Sequence, residues 1–157
     1  MLHEIEFDKD RTTVTIRASE QASVEGFEAY LKEVLGHPSW LPGMRALIDL
    51  RSLDASRLTK EQVRQISDLH VPYGERLGGG LCAIVVSDPL HFGLARMWEA
   101  YSDHRLFLRV RVFDSMDEAR EWVNSGGGAH AAEEWVDLKS LEDLAAILAW
   151  TASTYCR

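Results

Sequence analysis

Three residues with the side chains of a hydrolytic triad lie close together in the sequence, namely Ser87, Asp88 and His91. They directly follow an apolar run at residues 81–86. In the hydrolases that use such a triad on an α/β fold, the nucleophile stands in a Gly-x-Ser-x-Gly turn that exposes its hydroxyl. No such turn surrounds Ser87. We therefore predict no catalytic residue, and a small hydrolase is the last of three hypotheses.

The same positions also suit a binding site, because parallel sheets bind ligands at the carboxyl ends of their strands, beside helix N-termini. An anion there would meet Arg51 and the free N–H groups of a helix that begins near Leu90. The alternative is that Arg51 pairs with Asp54 or Asp88, and that Asp88 only caps the helix. The side chains expected at this rim are Asp49, Arg51, Ser52, Ser87, Asp88 and His91.

The helix predicted over residues 90–101 carries more large apolar side chains than one helix face needs. Its aromatic and methionine residues divide between two sides of the helix, which suits a cavity or a partner surface, with a plain packed core as the alternative. The segment at residues 71–80, which contains one proline and four glycines, is predicted to be a mobile loop. Its glycine-rich part at residues 73–80 is the natural lid of such a pocket. The predicted ligand-binding residues are Arg51, Asp88, His91, Phe92, Met97 and Trp98.

Signals for metals and cofactors are weak. His130 with Glu133 or Glu134 has the helical spacing of two metal ligands, but no third ligand is evident, and a solvated helix face explains the pattern. The glycines at residues 78–80 precede their strand, whereas loops that hold phosphates follow theirs. We predict neither a metal site nor a cofactor.

Composition excludes several classes of function. The 157 residues are enough for one domain with a real core. The formal net charge of −8 argues against a general nucleic-acid surface and against adhesion to anionic membranes. No apolar run approaches the roughly 20 residues that span a bilayer, and the N-terminus lacks the pattern of a signal peptide. Cys82 and Cys156 are expected to be reduced thiols, which favours the cytoplasm.

Apolar runs and helical patterns alternate along the chain. The predicted order is strand, strand, helix, strand, helix, strand, helix, strand, helix, followed by an appended helix. This order predicts an α/β fold with an N-terminal hairpin and a mainly parallel five-stranded sheet. Ser23 is placed to cap the first helix, and Thr59 with Gln62 forms a capping box at the second.

The glycines at residues 126–128 divide the chain. Residues 1–124 are predicted to form the domain, and residues 125–157 a linker and a helical extension. Two of the predicted strands have only one apolar face, so we expect helices to cover mainly one face of the sheet. The extension, anchored by Trp135 and Trp150, or a second subunit would then cover part of the other face.

The pattern resembles the SpoIIAA-like family, which is related to STAS domains and to Sec14-type lipid-binding modules. The residues that carry the resemblance are the initial hairpin, the strand at residues 45–51, the segment at residues 87–97 and the closing strand and helix at residues 112–122. The resemblance implies binding of partners, nucleotides or apolar ligands rather than catalysis. In phosphorylated relatives, an Asp-Ser-Ser-Gly segment opens the helix after the third strand. This sequence has residues 55–59 there instead, so the only candidate phosphoacceptor is Thr59, which we interpret as a helix cap.

Two hypotheses about function lead. The first is a non-enzymatic, cytoplasmic STAS-like module that binds a protein partner at the sheet rim, with a homodimer as one arrangement. The alternative is a carrier or sensor for a small apolar or amphipathic ligand, held between the helix at residues 90–101 and the loop at residues 73–80. Neither involves nucleic acid or stable membrane insertion.

Overall fold

The fold is that of a computed structural model, and it is described for residues 1–103 and 105–128. The contacts within the chain define one unit, Met1–Gly126, and a second, Gly127–Arg157. The predicted C-terminal helix, with Trp135, Trp150 and Cys156, lies outside the described residues. The elements are β1 (Leu2–Phe7), β2 (Thr13–Gln21), α1 (Val24–Gly36), β3 (Arg45–Asp54), α2 (Lys60–Asp68), a 3₁₀ turn (Val71–Tyr73), α3 (Gly74–Leu77), β4 (Gly80–Val85), α4 (Pro89–Ser102), β5 (Leu108–Phe113) and α5 (Met116–Asn124).

The five strands form one mixed sheet in the order β1-β2-β3-β4-β5. The strands β1 and β2 pair antiparallel, and every later pair is parallel. The register sets Asp49 of β3 beside Val85 of β4, so these two strands end at the same edge of the sheet. The predicted α/β class with a mainly parallel five-stranded sheet is confirmed.

The strand β4 lies between β3 and β5 in the sheet, and all six of its residues are buried. Its side chains alternate between two apolar clusters, because successive strand residues point to opposite faces. Cys82 and Ile84 join the cluster that packs with α1, α2 and α4. Leu81, Ala83 and Val85 join a smaller cluster on the other face. The predicted dry strand is therefore present, as the fourth of the five strands rather than the middle one.

The second face of the sheet is covered differently from our expectation. The helix α5 packs there through Ala119, Trp122 and Val123, which contact Leu47 and Phe113. We expected helices to cover mainly one face of the sheet. The helices α1, α2 and α4 lie on that face, whereas α5 covers the second face at β3, β4 and β5. The physical reason is that the apolar side of α5 needs apolar strand residues, and only these strands offer them on the second face.

The segment between α2 and β4 is ordered, which corrects the predicted mobile loop at residues 73–80. It forms the 3₁₀ turn and α3, and Leu77 is buried in the core. Hydrogen bonds from distant residues hold it: Trp40 Nε1 donates to the Arg76 carbonyl at 2.9 Å, and Arg76 Nε donates to the Leu35 carbonyl at 2.9 Å. The glycines end α3 rather than loosen it, because Gly78 takes the left-handed conformation with φ of 64°.

Among the described residues, no helix is both long enough and apolar enough to span a membrane.

Candidate functional site

The helix α4 begins at the edge of the sheet where β3 and β4 end, as its cap residue predicts. The Asp88 carboxylate accepts a hydrogen bond from the His91 N–H at 3.0 Å, and Pro89 occupies the first turn. Proline is tolerated there because no N–H is needed at that position. The carboxylate of Asp88 thus occupies the position that an external anion would take at this helix terminus.

The guanidinium of Arg51 is paired within its own strand. It donates to both carboxylate oxygens of Asp49, at 2.9 and 2.8 Å, and these hydrogen bonds hold the pKa of Asp49 below its ordinary value. The pairing with Asp54 or Asp88 that we considered was wrong. Residues two apart on a strand share one face, so Asp49 is the nearest carboxylate. The hydroxyl of Ser87 donates to the Arg51 carbonyl at 3.2 Å.

His91 ties the start of α4 to the segment that follows β3. Its Nε2 accepts a hydrogen bond from the Ala55 backbone N–H at 3.0 Å. A backbone N–H can only donate, so Nε2 carries the lone pair, and the neutral ring holds its proton on Nδ1. That Nδ1 lies 2.5 Å from the second oxygen of Asp88. His91 is thus hydrogen-bonded to Ala55 through Nε2, and its Nδ1 lies against the Asp88 carboxylate without the alignment of a hydrogen bond. The hydroxyl of Ser87 bonds to Arg51 instead.

An apolar cavity of about 70 Å³ lies between helices α1, α2 and α4 and the face of the sheet that these helices cover. Of the predicted ligand-binding residues, His91 and Trp98 line it. Phe92 and Met97 do not; they are half-buried and pack against the main cluster. The segment at residues 73–80 contributes nothing to the lining. The lining residues are Phe27, Tyr30, Ile48, Leu50, Leu53, Ala55, Leu58, Val63, Ile66, His70, Ile84, Val86, His91, Leu94, Ala95 and Trp98.

Trp98 and His70 are two buried rings with polar atoms in the lining of this cavity. Trp98 is only 8% exposed, and its Nε1–H has no hydrogen-bond acceptor among the described residues. His70 packs edge-on against Trp98 with the ring centroids 5.2 Å apart. Its Nδ1 lies 2.9 Å from the Ile66 carbonyl, which can only accept, so Nδ1 carries the proton. Burial lowers the pKa of His70, so the ring is neutral at pH 7.

The sequence did not single out several of these residues. Phe27 belongs to a predicted apolar stripe, which shows that it is buried but not what it faces. Tyr30 has the same helical spacing as that stripe, which again indicates burial only, and His70 follows the second helix with no pattern around it. The helical spacing of Val63 and Ile66 predicted burial only. No local signal could have shown that these residues surround one cavity, because they come from separate elements.

We expect acid to destabilise the protein through His70. Burial lowers the pKa of His70 in the folded state, whereas the unfolded chain keeps a value near 6.5. Between these two values the unfolded chain binds more protons, so the free energy of unfolding falls as the pH falls. From about pH 7.5 to about pH 5.5, wild type should lose about 1 kcal/mol more than His70→Phe. Urea unfolding at both pH values measures this, and equal losses in the two proteins would contradict it.

Thr59 caps α2, as its spacing from Gln62 predicts. Its hydroxyl accepts from the Gln62 N–H at 3.2 Å, and the Gln62 side chain accepts from the Thr59 N–H at 2.9 Å. The hydroxyl of Thr59 therefore has a structural role as the helix cap that we expected.

No metal site is found within residues 1–103 and 105–128, where no three His, Cys, Asp or Glu side chains come together. The weak pattern of His130 with Glu133 or Glu134 lies outside that range.

Comparison with known proteins adds a fold relationship. No protein-family model matches the chain, and no curated protein does. A solved structure of an uncharacterised protein from Shewanella loihica PV-4, described as a DUF3478 family member with a SpoIIAA-like fold, matches with a TM-score of 0.52. The identity is 19%, and the match covers 78% of this chain and 92% of the other. The five-stranded α/β domain described here thus has a SpoIIAA-like fold.

Proposed function

We propose that this domain binds a small apolar or amphipathic ligand in the cavity beneath α4. The observation that carries the proposal is the cavity itself, which is walled almost entirely by apolar side chains. Trp98 is one of its lining residues, and no described residue accepts a hydrogen bond from the indole N–H of Trp98. Small-molecule sites typically combine such an apolar lining with a few placed polar groups.

The size of the cavity limits the ligand. An engineered apolar cavity of about 150 Å³ stays dry and binds benzene or xenon. The cavity here is about 70 Å³, so its occupant has few non-hydrogen atoms, or the walls move to admit more. Burial of apolar surface supplies about 25 cal/mol per Å² of driving force, and the preformed lining reduces the ordering cost.

The segment after β3 is the natural movable wall. Ala55 and Leu58 line the cavity there, and this segment has no regular secondary structure. The Ala55 N–H to His91 Nε2 hydrogen bond attaches it to α4. Opening this wall would break that hydrogen bond, which contributes about 1 kcal/mol, and would expose Ala55 and Leu58, which pack in the core cluster. The segment takes the role of lid that we expected from residues 73–80.

The STAS-like interaction module remains a prediction, together with the homodimer, the cytoplasmic location and the absence of enzymatic activity. Native mass spectrometry of the purified protein separates it from the ligand carrier. A co-purifying small mass supports the carrier, and clean apo protein favours the module.

A binding test with benzene uses two variants of α4. Ala95 lines the cavity and Ala100 on the same helix is exposed, so Ala95→Leu fills the site and Ala100→Leu is the matched control. At a free benzene concentration about ten times its Kd, linkage adds about 1.4 kcal/mol to stability. This raises the Tm of wild type and Ala100→Leu by about 3 °C.

The benzene shift should vanish in Ala95→Leu, because leucine occupies the space. Calorimetric melting curves with and without benzene measure it. An equal shift in all three proteins, or none in any of them, would contradict ligand binding in this cavity.

A further inference from the structure

The indole N–H of Trp98 is the feature of the cavity that the packing leaves unexplained. The side chain of Trp98 is only 8% exposed, and no described residue accepts a hydrogen bond from its Nε1–H. A buried donor without an acceptor destabilises the fold, because its hydration is lost and no hydrogen bond replaces it, whereas an apolar side chain of similar shape carries no such penalty. A ligand atom that accepts this hydrogen recovers that cost.

Each imidazole of the lining already has polar neighbours within the protein. His91 Nε2 accepts from the Ala55 N–H, and His91 Nδ1 lies 2.5 Å from the Asp88 carboxylate, although the geometry there is not that of a hydrogen bond. His70 Nδ1 donates to the Ile66 carbonyl. Trp98 Nε1 always carries a hydrogen, and no described residue accepts it.

The lining also excludes a charged ligand. Among residues 1–103 and 105–128, no lysine, arginine, aspartate or glutamate lines the cavity. Burial raises the pKa of Tyr30 and lowers that of His70, so both groups stay uncharged at pH 7. A carboxylate or phosphate placed here would lose its hydration without a counter-charge, which is far more costly than burying a neutral oxygen.

Resting on the proposed function, we infer that the ligand is an uncharged apolar molecule with an acceptor oxygen, such as an ether, ketone or alcohol, that receives the Trp98 indole hydrogen. The proposal narrows the chemical class of the ligand from any small apolar molecule to one with a neutral oxygen at one position.

The test compares two probes of the same shape, tetrahydrofuran and cyclopentane, which differ only by an oxygen in place of a methylene. Their affinities are measured by NMR titration for wild type, Trp98→Phe and Trp122→Phe. Phenylalanine keeps an aromatic ring but has no N–H, so Trp98→Phe removes the donor. Trp122→Phe is the control, because Trp122 lies in the cluster on the other face of the sheet. The ratio of the tetrahydrofuran affinity to the cyclopentane affinity is compared between the proteins. A change in cavity size affects both affinities alike, so it cancels in this ratio.

We expect Trp98→Phe to lower the tetrahydrofuran affinity five- to tenfold relative to that of cyclopentane, and Trp122→Phe to leave the ratio unchanged. The indole proton resonance of Trp98 is the one that is missing from the spectrum of Trp98→Phe. In wild type, tetrahydrofuran should shift this resonance to lower field, and cyclopentane should not. Acetate, a small anion, should not compete with either probe.

The outcomes distinguish this inference from the proposal on which it rests. Binding of both probes, with an unchanged ratio in Trp98→Phe and no downfield shift, would overturn the acceptor-oxygen class and leave the ligand site standing. Absence of binding by either probe would overturn the ligand site itself, and the inference with it. Competition by acetate would contradict the exclusion of charge.

Discussion

Gly80→Ala is expected to lower the free energy of unfolding by about 3 kcal/mol. A Cβ atom at Gly80 would lie 2.2 Å from the Met44 carbonyl oxygen and 3.2 Å from the Gly43 carbonyl carbon. Both are backbone atoms at the start of β3, so they cannot rotate away as a side chain could. Relief of the clash requires β3 and β4 to separate where β4 begins. Urea unfolding at constant pH measures the loss.

Gly36→Ala is the matched control for this prediction. Gly36 ends α1, and no atom outside its own helix backbone lies within 4 Å of an added Cβ. Alanine in a helix is favoured over glycine by up to about 1 kcal/mol, so this variant should be as stable as wild type or more so. A Gly80→Ala protein as stable as Gly36→Ala would show that the two strands do not approach as described.

Trp98→Ala is expected to destabilise the protein by about 3–5 kcal/mol, because removal of a buried tryptophan leaves a large void. Trp122→Ala should cost a similar amount, since Trp122 is 9% exposed and Trp98 is 8% exposed. The two variants differ in the site of the void. The void at Trp98 joins an existing cavity, whereas Trp122 packs between α5 and the second face of the sheet.

Indole separates the two variants. It has the shape of the lost side chain, and the enlarged cavity at residue 98 should bind it and recover about 1.4 kcal/mol at ten times its Kd. Trp122→Ala lacks the adjoining cavity and should recover much less. Chemical unfolding with and without indole measures both. Equal recovery in the two variants would contradict a preformed cavity beneath α4.

The order of strands and helices could be predicted because its causes are local. The apolar run at residues 81–86 requires burial on both faces, and β4 has it. Ser23, Thr59 and Asp88 accept hydrogen bonds from N–H groups three residues ahead, so each cap depends on neighbouring residues alone. The pairing of Arg51 with Asp49 is also local. Asp54 and Asp88 were the partners that we considered, and the strand geometry, which places Arg51 and Asp49 on one face, determined the partner.

The candidate site could be predicted only in part. His91 and Trp98 were identified from residue types on a helix, and both line the cavity. Phe92 and Met97 belong to the same pattern and pack elsewhere, because an apolar periodicity does not distinguish a filled interface from an unfilled one. His70 carried no signal at all.

The sequence by itself determined the α/β class, the buried strand β4 and the caps of its helices, since these follow from residues within one turn or one strand of each other. Only the tertiary structure decided that His91 bonds to Ala55, 36 residues away, that α5 covers the second face, and that a void remains beside Trp98. A cavity is the difference between the space that packed elements enclose and the volume of the side chains inside it. That difference depends on residues from α1, β3, α2, β4 and α4 together, and no single segment of sequence contains it.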